Sequence, residues 1–329
     1  MRDSKSLYMY PIEHNNSFIA RTRTVFEELN FRVKPLKRLF ALSNVRNRKA
    51  NTVVLNWYED QPYRKGLRGA KRLLFVIGFF ISILSIRLFS NNILWVRHNF
   101  KPHNTAGKPL LFRFTLRLLS AVADQVVTLE ATDKFNSSVV KHPLYKNEGQ
   151  LYQYIAALGS GERNIDYLYF GSIKPYKRLD ALLNVWPQPL PLKIMGFCSD
   201  KSYTQQLHEI VAARRLSVDW VNEFVEDAAL EEAVATSRFV IMAHDDDAMI
   251  SSGTFYMALS LGANILCFDS AFARLKSKEF SFVKIISPEN LQMQLAAIDY
   301  VDSHIVISKA LENYNEQAIR ESWQAILST

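Results

Sequence analysis

The stretch YLYFGSIKPYKRLDALLNVW, residues 167–186, decides the fold. Tyr167 to Phe170 form an apolar, aromatic run that reads as a buried strand. Gly171 ends that run, Lys174-Pro175 marks a loop, and a helical period takes over across 177–186. Strand, tight loop and helix in about twenty residues make the opening half of a β-α-β unit.

Working outward, the same unit repeats. Downstream, strands are expected at Leu192–Met195, Val218–Val221, Phe239–Met242 and Asn264–Phe268, with helices over 201–215, 227–236 and 252–261 between them. Pro288 is expected to open a helix reaching about residue 300, because its missing N–H costs nothing in a first turn. A last helix, about 308–326, is expected to return to the first domain. Upstream, Ser6–Tyr10, Thr52–Trp57, Ile93–Arg97, Gln125–Leu129 and Ser138–Lys141 read as strands. Ser17–Leu29, 67–90 and 109–121 read as helices. This alternation implies parallel sheets covered on both faces. The stretch from Lys146 to Asn164, with Gly149, Gly159, Ser160 and Gly161, is the candidate linker. The division expected is 1–150, 151–305 and a returning helix over 306–329. The fold class is thus α/β, with two Rossmann-like domains and a ligand in the crevice at the strand ends.

The 329 residues suffice for two ordinary α/β domains. Charge is unevenly spread. Residues 1–120 hold 22 Lys and Arg against 6 Asp and Glu, whereas residues 121–329 hold 18 against 26. A basic first half calls for an anionic partner, either nucleic acid or a membrane leaflet. No reading helix, RNP or zinc motif appears, which argues against nucleic acid. No signal-like run follows Met1, so a cytoplasmic location is expected. Cys198 and Cys267, each in an apolar strand-like stretch, read as reduced structural thiols. The run LLFVIGFFISILSI, Leu73 to Ile86, is 14 residues, short of the ~20 that span a bilayer. It reads either as a buried helix or as one lying in the membrane interface. The cluster Arg64, Lys65, Arg68, Lys71 and Arg72 before it favours contact with anionic headgroups.

Four local patterns, in consistent order over residues 8–300, resemble GT-B glycosyltransferases of bacterial exopolysaccharide and capsule assembly. Tyr10-Pro11 followed by His14-Asn15-Asn16-Ser17 is similar to that family's strand–loop–helix opening. Trp95-Val96-Arg97-His98-Asn99-Phe100-Lys101-Pro102-His103 is similar to its TVHNLKPHE stretch, and Val140-Lys141-His142-Pro143-Leu144-Tyr145 to its PHPLY element. In the second half, Tyr169 to Lys177 resembles FGxIxPYKG, and Ile250-Ser251-Ser252-Gly253 running to Gly262 resembles SGxxxLALSxG. The resemblance implies transfer of a sugar from a GDP- or UDP-linked donor, without other cofactor, to a polyprenyl-diphosphate-linked glycan on the inner face of the plasma membrane. It departs from the retaining members at one point. Their paired Glu residues would fall at Met249 and Met257, so an inverting reaction is expected.

Glycosyl transfer needs a stabilised diphosphate leaving group and a base for the acceptor hydroxyl. Lys174 and Lys177, after the strand and Gly171, are candidates for the diphosphate, against the plainer reading of solvated loop lysines. Ser251, Ser252 and Gly253 stand at a helix N-terminus, where capping and anion binding are compatible. Gly196 allows close backbone approach, either to a nucleotide or within a plain turn. Asn15 and Asn16 are candidates for the acceptor side. Glu59 and His98, both at strand ends, are the candidate bases, against the readings of a solvated charge and a structural histidine. Asp245-Asp246-Asp247 reads better as a solvated loop than as a metal site, and no metal is expected. The rival readings are a basic nucleic-acid-binding protein, an inactive GT-B scaffold, and another enzyme such as an epimerase. The absence of GxGxxG argues against the last.

Overall fold

The computed structural model describes residues 5–14, 16–63, 66, 68–100, 109–157, 163–244 and 249–328. It resolves into two compact units, Met1–Pro143 with Glu316–Thr329, and Leu144–Asn315.

In the first unit the order is β1 (Ser6–Tyr10), α1 (Ser17–Glu28), β2 (Arg32–Pro35), α2 (Ser43–Arg46), β3 (Asn51–Asn56), α3 (Gly69–Phe89), β4 (Asn92–Val96), α4 (Pro109–Val122), β5 (Gln125–Thr128) and β6 (Ser138–Val139). The strands form one parallel sheet in the order β2-β1-β3-β4-β5-β6. Successive strand residues point to opposite faces, and here both faces are apolar. Val54, Leu94 and Val96 enter one core, while Val53, Leu55, Ile93 and Trp95 enter the other. Phe79, Ile83 and Ile86 of α3 cover the second core. The first is covered by α1 and by the terminal helix α13 (Glu316–Leu327), whose Trp323 meets Phe26 edge-on at 4.8 Å.

The second unit runs α5 (Glu148–Ala157), β7 (Ile165–Phe170), α6 (Leu179–Val185), β8 (Leu192–Met195), α7 (Lys201–Arg214), β9 (Val218–Val221), α8 (Asp227–Ala235), β10 (Ser237–Met242), α9 (Gly253–Ser260), β11 (Asn264–Phe268), α10 (Ala271–Glu279), β12 (Val283–Ile286), α11 (Leu291–Ala297) and α12 (Ser303–Tyr314). Its parallel sheet has the order β12-β11-β10-β7-β8-β9. Val240 and Met242 of β10 face one core, Phe239 and Ile241 the other.

Several elements differ from the sequence expectation. β2 is Arg-Val-Lys-Pro, too polar to stand out, and lies at the sheet edge where a Pro is tolerated. α10 and β12 also went unread. The expected 308–326 helix is two, because the chain turns extended at Asn315, φ −65° and ψ 162°. Pro288 does not open α11, which starts after Asn290 in the left-handed region at φ 56°. Most of the candidate linker is helix α5, while Gly159, Ser160 and Gly161 lie outside the described residues. Cys198 is buried in the loop after β8 rather than in a strand.

Candidate functional site

In the second unit the sheet order reverses between β7 and β10, and a doubly wound sheet binds its ligand beyond the carboxyl ends of the strands at that reversal. Gly171 follows β7 and His244 follows β10, so the loops carrying the candidate donor residues leave the sheet at the switch point. Lys177 ends a 3₁₀ turn, Pro175–Lys177, and is only 8% exposed. Burial, with the charge of Lys174 added, pulls its ammonium down to about 8. Gly171 has φ +102°, and a Cβ built there would stand 3.1 Å from Lys177 Nζ and 3.5 Å from Thr254 Oγ1. The ammonium therefore sits beside the first turn of α9, an end that carries partial positive charge.

Two further groups join it. His244 is buried, and its Nδ1 has no hydrogen-bond partner among the described residues. Burial, then the charge of Lys177, holds it well below the ordinary histidine range. The Ser251 hydroxyl is likewise buried and unpartnered among the described residues. Ser252 occupies the N-cap position of α9 and makes no side-chain cap bond. A buried polar atom left unpaired costs about 1–3 kcal/mol, and a desolvated ammonium costs more. An anion would relieve all of these at once. Lys174, half-buried, precedes the 3₁₀ turn.

Other candidates have structural explanations. A Cβ on Gly196 would come within 2.0 Å of the Gly171 carbonyl oxygen, so the close approach there is to the chain's own backbone. A Cβ on Gly253 would meet Tyr145 Oη at 2.4 Å. Met249 and Met257 are buried in the apolar core of the second unit. Asp245, Asp246 and Asp247 lie outside the described residues. A surface hollow bordered by Asn164, Lys193 and Ser217 opens at the amino ends of β7, β8 and β9, away from the switch point.

In the first unit the reversal falls between β1 and β3. His98, after β4, is buried, with Nε2 3.1 Å from Asn56 Oδ1. The Asn56 amide donates to the Tyr10 carbonyl at 3.3 Å. Its oxygen is thus the acceptor toward His98, whose Nε2 donates. Trp57 stacks on the imidazole at 4.2 Å, and Phe18 meets it edge-on at 5.0 Å. Trp57 holds φ +48°, a left-handed conformation that bulky residues adopt only under constraint. His14 packs on the outer side of Trp57 at 5.1 Å and accepts from the Asn16 amide. Glu59 is neither a solvated charge nor an open base. It is 3% exposed and accepts from Trp95 Nε1 at 2.9 Å. Burial raises its carboxyl, while the Trp95 bond and Arg97 pull the other way. Asn16 caps α1 through its side chain, accepting from Phe18 N at 2.9 Å. Asn15 lies outside the described residues.

No family model matches the chain. It is 22% identical over 264 residues to a GDP-mannose:glycolipid 4-β-D-mannosyltransferase of Xanthomonas campestris pv. campestris, covering 78% of this chain and 70% of that one. Anabaena HepE, solved in complex with UDP-glucose, aligns at a TM-score of 0.58 and 12% identity, over 98% of this chain and 99% of that one. AviGT4, a glycosyltransferase involved in avilamycin A biosynthesis, aligns at 0.56 and 12% over 98% of each. The chain has the GT-B glycosyltransferase fold.

In this GT-B chain, sequence reasoning named neither His244 in the second unit nor Trp57 in the first as a site residue, and it met His142 only within the PHPLY-like element. His142 is buried, its Nδ1 2.6 Å from the Pro143 carbonyl oxygen. A lone histidine gives no signal in sequence, and only the strand order brings His244 to the lysine loop. Of the basic cluster, Arg68 and Lys71 are exposed and Arg72 half-buried, with Arg64 and Lys65 outside the described residues. The apolar run lies within α3, the helix expected over 67–90. α3 has 21 residues and a mean hydropathy of 2.1 in its most apolar window, long and apolar enough to cross a membrane by length and composition.

Proposed function

We propose that this protein is an inverting glycosyltransferase that moves a hexosyl group from a GDP- or UDP-linked donor to a lipid-linked oligosaccharide during surface polysaccharide assembly. The observation that carries this reading is the buried Lys177, beside His244 and the first turn of α9 at the switch point. Such a cradle suits the diphosphate of a nucleotide sugar. Lys177 and the α9 amides take up the charge that grows as the C–O bond to the diphosphate breaks. His244 and the Ser251 hydroxyl complete the leaving group's hydrogen bonds, and Lys174 adds long-range attraction. This positive set does the work that a metal does elsewhere, so metal independence is part of the proposal.

In an inverting transfer the acceptor oxygen attacks the anomeric carbon directly and its proton passes to a base. His98 is our choice over Glu59, because it follows β4 at the carboxyl end of the sheet while the Glu59 carboxylate is buried and accepts from Trp95. The buried methionines at 249 and 257, and the β-linkage in the Xanthomonas relative's name, favour inversion. That relative's glycolipid acceptor, with the basic first half of this chain, favours a lipid-linked acceptor met at the anionic inner face of the plasma membrane. Arg64, Lys65, Arg68, Lys71 and Arg72 supply attraction of about 1 kcal/mol each near such a surface.

A panel of UDP- and GDP-sugars, screened for thermal stabilisation in chelator-treated buffer, tests the donor reading. A ligand bound only to the folded state raises Tm, and at least one sugar of the panel is expected to do so. Uniform failure across the panel would refute a nucleotide-sugar donor, and a requirement for added divalent cation would refute metal independence.

A further inference from the structure

α3 carries two opposed apolar faces, and among the described residues only one has a partner. Phe79, Ile83 and Ile86 are buried against Val53, Leu55, Ile93 and Trp95. On the other side Leu73, Leu74, Ile77, Ile81, Leu84 and Leu88 are 46–69% exposed. Residues 74, 81 and 88 are seven apart, so they share one face of the helix. The stripe continues sideways onto α4, where Leu110 and Phe114 are 76% and 54% exposed and Phe80 meets Phe114 edge-on at 5.0 Å. An unpartnered apolar surface of this extent marks a binding site.

The fold limits how this surface meets a membrane. α3 connects β3 to β4, which pair with each other in register. Its end is locked to the sheet, since Asn51 Nδ2 donates to the Phe89 carbonyl at 2.9 Å, Ser90 Oγ donates to the Asn51 carbonyl at 2.7 Å, and Arg87 pairs with Asp124 at 2.7 Å. Midway, the Ser82 and Tyr58 hydroxyls bond at 2.8 Å. Crossing a bilayer would require α3 to leave the sheet and expose its second core. Lying flat does not.

We infer that α3 and α4 form a two-helix wedge lying in the plane of an anionic leaflet, with Leu74, Ile81, Leu88 and Phe114 below the headgroups. Arg68 and Lys71 at the start of α3, and Arg113 and Arg117 on α4, are exposed and positioned for the phosphates. A second copy of the chain is the poorer occupant, because it would bring two halves of net +16 together. The inference rests on the membrane-surface reading above and adds depth and orientation to it.

The test uses the full chain. Cys198 and Cys267 are buried, so cysteines introduced as Leu74→Cys, Ile81→Cys and Leu88→Cys take a bimane label selectively. The labelled proteins are mixed with vesicles of phosphatidylglycerol and phosphatidylcholine, the lipids brominated at shallow or deep carbons. From residue 74 to 88 a helix rises about 21 Å, so a crossing helix places the three labels at different depths and a flat one at a single depth. Equal, shallow quenching at all three, with Phe114→Asp lowering vesicle partition at least about tenfold, is the expected result. A depth gradient overturns the flat orientation and leaves the surface reading standing. Unchanged partition of Phe114→Asp removes α4 from the wedge. No lipid quenching, with a label signal that instead follows protein concentration, assigns the face to self-association and overturns both.

Discussion

Lys177 carries a stability cost that the proposed donor site would turn to use. Its ammonium falls from 10.5 to about 8 in the folded state, a cost of about 3 kcal/mol at neutral pH. The unfolded chain holds this proton up to about pH 10.5 and the folded chain only to about 8. The penalty is therefore complete below pH 8 and fades as pH rises to 10.5. Lys177→Met removes it and is expected to raise Tm of the ligand-free protein while abolishing stabilisation by nucleotide sugars. Scanning fluorimetry reads both effects, and a fall in ligand-free Tm would mean that the lysine is structural. For the wild type, donor affinity is expected to weaken as pH rises through about 8. At the other candidate residues, His98→Ala should lower kcat by 100-fold or more, on the order of a lost general base. Glu59→Gln, which keeps an acceptor for Trp95, should leave kcat near wild type. Lys177 was legible in sequence because it follows a strand, a glycine and a proline at fixed spacing. His244 and Trp57 were not, because one depends on strand order and the other on a backbone angle that no composition reveals.

Among the elements, the loops after β7 and β8 are fitted backbone to backbone. Gly196→Ala would drive a methyl into the Gly171 carbonyl and should cost about 3 kcal/mol or more in a denaturant titration. Gly253→Ala meets the Tyr145 hydroxyl instead. Tyr145→Phe in the same chain should restore part of the loss, whereas strictly additive effects would place the strain elsewhere. Buried strands such as β4, β10 and β11 declared themselves as continuous apolar runs, for both of their faces are covered. The edge strands β2 and β12 did not, since one is largely polar and the other has Lys284 and Ile285 exposed. Helix α3 was legible as a helix, but its exposed stripe was not. An apolar run in sequence does not say which of its faces has a partner.

For the molecule as a whole, the charge division organises the account. Residues 1–120 carry net +16 while the remainder carries −8. An anionic surface therefore attracts the first unit and not the second, with attraction that salt screens over about 10 Å at 0.1 M. Changing Arg64, Lys65, Arg68, Lys71 and Arg72 to Glu should abolish co-sedimentation with anionic vesicles, and equal sedimentation of both proteins would remove electrostatics from the account. The α/β class and the alternation of elements could be read along the chain, because hydrophobic period is a local property. The assembly of α13 into the first unit, through Trp323 and the ion pairs Arg21–Glu316 and Arg320–Glu28, depends on contacts nearly three hundred residues apart.

The central claim is that the Lys177 cradle holds the diphosphate of a sugar nucleotide. Calorimetric titration of UDP and of GDP into wild type and Lys177→Met, in metal-free buffer at pH 7, tests it most directly. The account predicts that one nucleotide binds the wild type and that Lys177→Met weakens that binding at least about 100-fold, the scale of a buried charged hydrogen bond. Equal binding by the two proteins, or no binding of either nucleotide to the wild type, would contradict it.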